Sequence, residues 1–272
     1  MKLGIFAKTF EGTDPALVFS AAKASGFSMV QYNMACSGLT SMPDEISSEI
    51  ATAVNHGAKQ NDIEITAISA TYNMIHPDMA VRKIGLQRLE ILATRCAAMG
   101  ATLLTLCTGT RHATDQWQWH AENETPDAWR DLVSEMAQAL AIAERYNVVL
   151  GIEPELTNVV NSAAKAKLLI GEMQSSRLKI IFDAANLFEA ASLQEQKSII
   201  SASVDMLAEH IVMAHAKDRR PDGAFTVAGR GCLDYGHYIS CLKRVGFDGA
   251  LVTHGLAAAD APNVAQFLNS QI

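Results

Sequence analysis

Short apolar, β-branched runs alternate along the whole chain with longer segments in which apolar residues recur at helical spacing. No other feature of the sequence constrains the fold as strongly. The runs predict eight strands, at residues 3–8, 29–33, 64–71, 102–108, 148–155, 178–183, 211–217 and 250–254. Successive runs are far enough apart for the crossover that joins two parallel strands, which is usually a helix.

Eight amphipathic helices are predicted after the strands, at residues 15–24, 44–61, 78–99, 126–146, 163–173, 193–209, 235–245 and 261–271. Thr125 before Pro126 is typical of a helix start, and Gly100 and Gly246 fall just past helix ends. Strict alternation of eight strands and eight helices predicts an α/β fold, a (β/α)8 TIM barrel. A doubly wound open sheet is the alternative, but such sheets usually stop at five to seven strands. No linker rich in Pro, Gly or Ser divides the chain, so we expect a single domain over residues 1–272.

Charge and composition limit the classes of partner that we expect the chain to bind. The chain carries 22 Lys and Arg against 29 Asp and Glu, a net charge of −7 with no basic run, so we expect no nucleic-acid partner. No apolar window is long enough for a membrane span, and the first residues do not form a signal peptide. Five widely spaced cysteines without a CxxC pair fit a reducing compartment. These features predict a cytoplasmic protein and leave open whether it forms a homo-oligomer.

Polar residues at the carboxyl ends of the strands are the candidates for an active site, because barrel enzymes place their sites there. The last four predicted strands offer Glu153, Asp183, His215 and His254. Within residues 148–155 the positions that alternate with Glu153 are uniformly apolar and suit the helix-covered face, so Glu153 points into the barrel. The same alternation places Asp183 and His215 inside.

Four such groups on consecutive strands predict a metal site. Any one of them alone is more often a structural group with a hydrogen-bond partner. Together, carboxylates that share a pocket repel each other unless a cation or protons neutralise them. Carboxylate and imidazole ligands suit a divalent ion such as Mn²⁺, Mg²⁺, Co²⁺ or Zn²⁺.

Four segments of the chain resemble the xylose-isomerase-like TIM-barrel superfamily of sugar isomerases and epimerases, which also includes endonuclease IV. They are Gly-Ile-Glu-Pro-Glu at 151–155, Phe-Asp-Ala-Ala-Asn-Leu at 182–187, Ala-His-Ala-Lys-Asp at 214–218, and Gly-Arg-Gly at 229–231 followed by Leu-Asp-Tyr at 233–235. The resemblance runs over essentially the whole chain. It implies that Glu153, Asp183 and His215 bind a metal and that Glu153 moves a proton.

The fourth ligand position departs from the family pattern. After the last strand the family usually has a second glutamate, which also transfers a proton, whereas this chain has His254. A neutral imidazole is still able to ligate a metal or accept a proton. His254 is therefore a candidate ligand and base, and Glu155 is the other candidate for the missing acid.

The resemblance implies a metal-dependent isomerase or epimerase of a sugar or sugar phosphate that works by proton transfer through an enediolate. Further substrate-binding candidates are His76, Lys217, Arg219 and Asn186. His76 has an equally good explanation as a helix-capping residue. A basic segment holding Lys217 and Arg219, with a flexible loop at 229–231, suits either a phosphate or a solvated surface.

Two other classes remain open at this point. An endonuclease IV-like hydrolase would need several metals and a basic face, which the net charge does not favour. A non-catalytic sugar-binding barrel is compatible with the departure at His254. The loop at 109–125, with Trp117 and Trp119, is long enough to be a lid or an interface.

Overall fold

The computed structural model describes all 272 residues. Eight parallel strands form its centre: β1 (Lys2–Phe6), β2 (Met29–Tyr32), β3 (Glu64–Ser69), β4 (Leu103–Cys107), β5 (Val149–Glu153), β6 (Leu178–Asp183), β7 (Ile211–Ala216) and β8 (Ala250–Thr253). Each strand pairs with the next in sequence, and β8 pairs with β1 through Lys2 and Ala250, which closes the barrel. The predicted (β/α)8 TIM barrel is confirmed.

Eight helices surround the barrel: α1 (Pro15–Ala24), α2 (Ser48–Gln60), α3 (Met79–Cys96), α4 (Pro126–Arg145), α5 (Ala163–Met173), α6 (Leu193–Leu207), α7 (Tyr235–Arg244) and α8 (Ala261–Asn269). The prediction of helix from residue 44 is wrong by four residues, because the Ser47 side chain caps α2 by accepting from Ile50 N. No helix combines the length and the apolar character that a membrane span requires.

Several strands end earlier than predicted. Lys8 lies in a short 3₁₀ turn after β1, and Asn33 caps a similar turn after β2. Glu155 and Lys217 also lie just beyond β5 and β7. These residues therefore sit on the loops of the barrel mouth, where they have more freedom of position than a strand residue.

The inside of the barrel is apolar at its amino-terminal end and polar at its carboxyl end. The apolar layer contains Met29, Ala67, Leu103, Ile181, Met213, Ala250 and Val252. Gly151 belongs to this layer, since a Cβ there would lie 2.9 Å from Ile181 Cγ1. Ile181 and Met213, two residues before Asp183 and His215 on the same strands, belong to this inner layer, as the alternation that places Asp183 and His215 inside requires. A filled lower barrel provides a rigid floor for the polar groups above it.

The long loop after β4 is ordered at its base. Asn123 accepts hydrogen bonds from Arg111 N (2.7 Å) and donates to Thr157 O (2.9 Å), and Arg111 pairs with Asp131 of α4. Trp117 and Trp119, at the outer end of the loop, are about half exposed. The loop thus carries two aromatic side chains on a fixed base beside the barrel mouth.

Candidate metal centre in the barrel mouth

Glu153, Asp183, His215 and His254 converge at the carboxyl end of β5 to β8. Strand register explains the convergence: Asp183 is paired with His215 between β6 and β7, and His215 with Val252 between β7 and β8. One donor atom from each of the four side chains lies within 4.8 Å of the other three. The sequence prediction had placed these residues together, and the structure brings them together.

Gln31, at the end of β2, orients the imidazole of His215. His215 Nε2 lies 2.9 Å from Gln31 Oε1, and Gln31 Nε2 donates to Ser69 Oγ and Thr105 Oγ1. With Nε2 donating to the amide oxygen, Nδ1 of a neutral imidazole carries a lone pair. That Nδ1 faces Glu153 Oε1 at 3.0 Å. Two lone pairs so close together in a buried site require a proton or a cation between or beside them.

Glu153 is buried, and the same oxygen Oε1 also accepts a hydrogen bond from Asn186 Nδ2 at 2.7 Å. Burial acts to raise the pKa of Glu153, but His215 and Lys217 outweigh it and hold this pKa well below its ordinary value. Glu153 is therefore an ionised carboxylate at neutral pH.

Three buried polar atoms in the cluster make no hydrogen bond: Oδ2 of Asp183, Nδ1 of His215 and Nε2 of His254. Two of them have an ion-pair neighbour, since Asp183 Oδ2 lies 3.0 Å from Lys217 Nζ and His215 Nδ1 lies 3.0 Å from Glu153 Oε1. His254 Nε2 lies 3.9 Å from Asp183 Oδ2, and the two imidazole rings have centroids 4.6 Å apart. Burial, followed by the charges of Lys217 and His215, keeps the pKa of His254 well below its ordinary value, so this imidazole is neutral.

The donor set fits a divalent metal ion. Buried polar atoms that make no hydrogen bond are rare in folded proteins, and three within one cluster favour a ligand that supplies the missing interaction. Two carboxylates and two imidazoles are a common ligand type for Zn²⁺, Co²⁺ and Mn²⁺. Glu153, Asp183, His215 and His254 are the residues that would hold it.

Lys217 is also buried in the cluster. Its Nζ lies 3.0 Å from Asp183 Oδ2 and 3.6 Å from Glu153 Oε1, and it donates to Asn186 Oδ1 at 2.9 Å. Of the two explanations for the basic segment after β7, a solvated surface is therefore wrong for Lys217 and Arg219, because both side chains are buried. Asn186 bridges Lys217 and Glu153, so both ends of its amide are already occupied.

Glu155 lines the same cavity and accepts a hydrogen bond from the thiol of Cys107, on β4, at 3.4 Å. Burial and the nearby charge of Glu153 raise the pKa of Glu155 to about 7. Two carboxylates two residues apart thus have opposite pKa shifts, because only Glu153 contacts cationic partners closely.

A cavity of about 670 Å³ opens above the cluster. Most of the residues that line it are polar, and its charged side chains include Lys8, Glu155, Glu189 and Arg219. Arg219 donates from Nε to Ala185 O at 2.6 Å, and its guanidinium stacks on Phe225 at 3.9 Å. A cavity of this size accommodates a small polar molecule with room for water.

His76 does not reach this cavity. Its Nε2 pairs with Ala113 O at 2.9 Å, and its Nδ1 accepts from Asp78 N at the start of α3. Both ring nitrogens are used to join the loop after β4 to the amino terminus of α3. Of the two explanations that the sequence allowed, the structure shows the capping one. His76 lines a neighbouring groove, separated from the barrel mouth by Gln116 and Trp117.

Two residues that shape the site were not singled out from the sequence. Gln31 orients His215, and the only signal for it was its position at a strand end. Tyr238 of α7 lies behind the site, where its hydroxyl is 3.0 Å from the carbonyls of both Phe182 and His215. Nothing in the sequence indicates that a helix tyrosine holds the backbone of two metal-site strands.

Comparison with known proteins agrees with this architecture. No curated protein sequence matches the chain. Among solved structures, the 3-keto-D-glucoside 4-epimerase of E. coli superposes with a TM-score of 0.78 at 16% identity, over 99% of each chain. D-psicose 3-epimerase of Clostridium cellulolyticum H10 gives 0.75 at 15% identity, again over 99% of each chain. The IolI protein with a bound zinc atom gives 0.74 at 16% identity, over 99% of this chain and 96% of IolI.

At sequence identities of 15–16%, these structural similarities show a shared fold only. A family model described as xylose isomerase-like TIM barrel matches residues 19–269 of the sequence itself. This match covers seven of the eight strands and all four cluster residues. The chain therefore belongs to the xylose isomerase-like TIM barrel family.

Proposed function

We propose that the chain is a divalent-metal-dependent isomerase or epimerase of a sugar or sugar phosphate. The observation that carries this proposal is the convergence of two carboxylates and two imidazoles, among which three buried polar atoms make no hydrogen bond. Support also comes from proteins of similar structure, which include a 3-keto-D-glucoside 4-epimerase, a D-psicose 3-epimerase and an L-ribulose 3-epimerase.

The bound metal would polarise a substrate carbonyl, so that the neighbouring C–H becomes acidic. Glu153 accepts that proton, because it is ionised and because Asn186, His215 and Lys217 crowd Oε1 and leave Oε2 without a partner. The carbanion is an enediolate. Its reprotonation at the neighbouring carbon gives an isomer, and reprotonation on the opposite face gives an epimer.

Glu155 donates its own proton to the enediolate in this scheme, because it lines the same cavity, and Glu153 keeps the abstracted proton until exchange with solvent resets both groups. His254 acts as a neutral ligand, with proton transfer as its alternative role. Arg219 lies in the cavity wall and binds substrate oxygens or a phosphate there. Asn186 and Lys217 act on the substrate through Glu153, which both of them contact.

Asp183→Ala tests the metal site. We expect wild-type protein dialysed against Mn²⁺, Co²⁺ or Zn²⁺ to keep about one ion per chain after gel filtration, and the variant to keep none. Elemental analysis measures the ion. Asp183→Asn serves if the alanine variant does not fold. Asp205→Ala, which breaks only an exposed pair with Arg244 on the barrel surface, is the matched control and should bind as wild type. Wild-type protein that retains no ion would contradict the proposal.

A further inference from the structure

The ammonium group of Lys217 lies where a cation would contact the cluster. Asp183 Oδ2, at 3.0 Å, and Glu153 Oε1, at 3.6 Å, belong to two of the four residues that would hold the metal. The side chain is about 11% exposed. A buried ammonium group persists only with counter-ions and hydrogen-bond partners, and Lys217 has both in this cluster.

The formal charges of the cluster nearly balance before a metal binds. With His254 at the fourth position, the ligand set carries two negative charges, from Glu153 and Asp183. Lys217 neutralises one of them before any metal binds. The ammonium group is held there by the close contacts with both carboxylates and by its hydrogen bond to Asn186 Oδ1.

A divalent ion beside this ammonium group meets strong repulsion, because Coulomb energies are large at 3–4 Å in a poorly solvated site. We propose that Lys217 is a built-in counter-cation that competes with the divalent metal for Asp183 and Glu153, stabilising the metal-free cluster and weakening metal affinity. Metal binding then requires Lys217 to leave the two carboxylates. This inference rests on the proposed metal site but adds a role for a residue outside the ligand set.

The competition has two opposite consequences for a variant that lacks the charge. Without Lys217, Asp183 and Glu153 are left buried and uncompensated, so the metal-free protein loses stability. The same loss removes the repulsion, so a metal binds more tightly. A residue that merely fills space would not change metal affinity and metal-free stability in opposite directions.

Lys217→Met tests this competition, with Lys8→Met as the matched control, because Lys8 lines the same cavity but forms no ion pair. Calorimetric titration with Mn²⁺ and Co²⁺ should give a dissociation constant at least tenfold lower for Lys217→Met than for wild type. Lys8→Met should stay within about threefold of wild type. The melting temperature of metal-free Lys217→Met should be lower than that of wild type, and metal should restore it. Lys217→Gln, which keeps a hydrogen-bond donor without the charge, serves if the methionine variant does not fold.

Unchanged or weaker metal affinity in both Lys217 variants would overturn the inference while leaving the proposed function intact. If wild type and all variants bind no metal, the inference and the proposed function both fail. Tighter metal binding by Lys8→Met as well as by Lys217→Met would also overturn the inference, because the loss of any positive charge from the cavity would then explain the higher affinity.

Discussion

His254 changes the character of the metal site more than its position suggests. The imidazole is neutral and replaces a residue that in most of the family is a carboxylate, so the ligand set is less negative and richer in nitrogen. Imidazole ligands favour Zn²⁺ and Co²⁺ over Mg²⁺. In the proposed mechanism the second acid–base role belongs to Glu155, which lies outside the four-residue cluster but lines its cavity.

Glu153→Gln tests the assignment of the proton-abstracting group. Solvent deuterium should no longer enter a turned-over ketose at the wild-type rate, with a loss of about 10²–10⁴-fold, typical of a general base. Mass spectrometry or proton NMR of the recovered sugar measures the exchange. A neutral amide keeps the shape of the side chain, and circular dichroism should show the native fold.

Glu155→Gln is the companion variant. Exchange that survives in Glu153→Gln but not in Glu155→Gln would move the abstracting role to Glu155. Absence of exchange in wild-type protein across a panel of ketoses and ketose phosphates, with metal bound, would favour the non-catalytic sugar-binding barrel.

At the scale of elements, the segment after β7 is the clearest difference between expectation and structure. The sequence predicts a flexible loop at residues 229–231, but the structure shows backbone fixed around Asp218. The Asp218 carboxylate accepts from four backbone amides: Arg219 N at 2.8 Å, Leu233 N at 2.9 Å, Gly231 N at 3.0 Å and Gly229 N at 3.1 Å.

Glycine is required at both positions of this loop. Gly229 has φ of +82°, and a Cβ at Gly231 would collide with Arg219 O and the Asp218 carboxylate. The glycines thus permit a tight turn around one carboxylate. A short antiparallel pair of strands begins at Asp218 and consists of Asp218–Arg219 and Phe225–Thr226. Arg219, in the first of these strands, lines the cavity.

Asp218→Asn should loosen this segment. The amide keeps one acceptor oxygen, so two of the four backbone donors lose their partner, at a cost of about 3 kcal/mol in the free energy of unfolding. Urea denaturation measures the cost, and hydrogen exchange should increase at residues 220–232. Asp222→Asn is the control on the same segment, because Asp222 is exposed and accepts only from Ala224 N. Equal effects of the two substitutions would refute a special role for Asp218.

At the scale of the whole molecule, the four candidate ligands lie at the carboxyl ends of four different strands, β5 to β8, with His254 one residue beyond β8. A metal that holds them together binds only when half of the barrel is assembled. Its binding free energy is then linked to global unfolding and not to the opening of one loop.

We therefore expect a metal to stabilise the entire barrel. At a free metal concentration of about 100 times the dissociation constant, the folded state gains about 2.7 kcal/mol. For a chain of this size, the melting temperature should rise by about 5 °C. Differential scanning calorimetry with and without metal measures the shift, and a chelator should reverse it. The same rise in Asp183→Ala would show that the metal binds elsewhere.

The sequence alone determined the eight-unit alternation, the barrel and the convergence of Glu153, Asp183, His215 and His254. Each of these follows from local information: apolar periodicity sets the elements, and alternation along a strand sets which side chains point inward. Barrel closure then brings the ends of adjacent strands together whatever the loops do.

Only the tertiary structure decided the contacts between loops and strands. It placed Lys217 between two carboxylates, Gln31 against His215, and His76 away from the cavity. These placements depend on strand register and on side chains just beyond strand ends, where backbone direction is no longer fixed by the pleat. Gly229 and Gly231 are a further example. The sequence predicts a flexible backbone at these glycines, and only the fold shows that hydrogen bonds to the buried Asp218 carboxylate fix it.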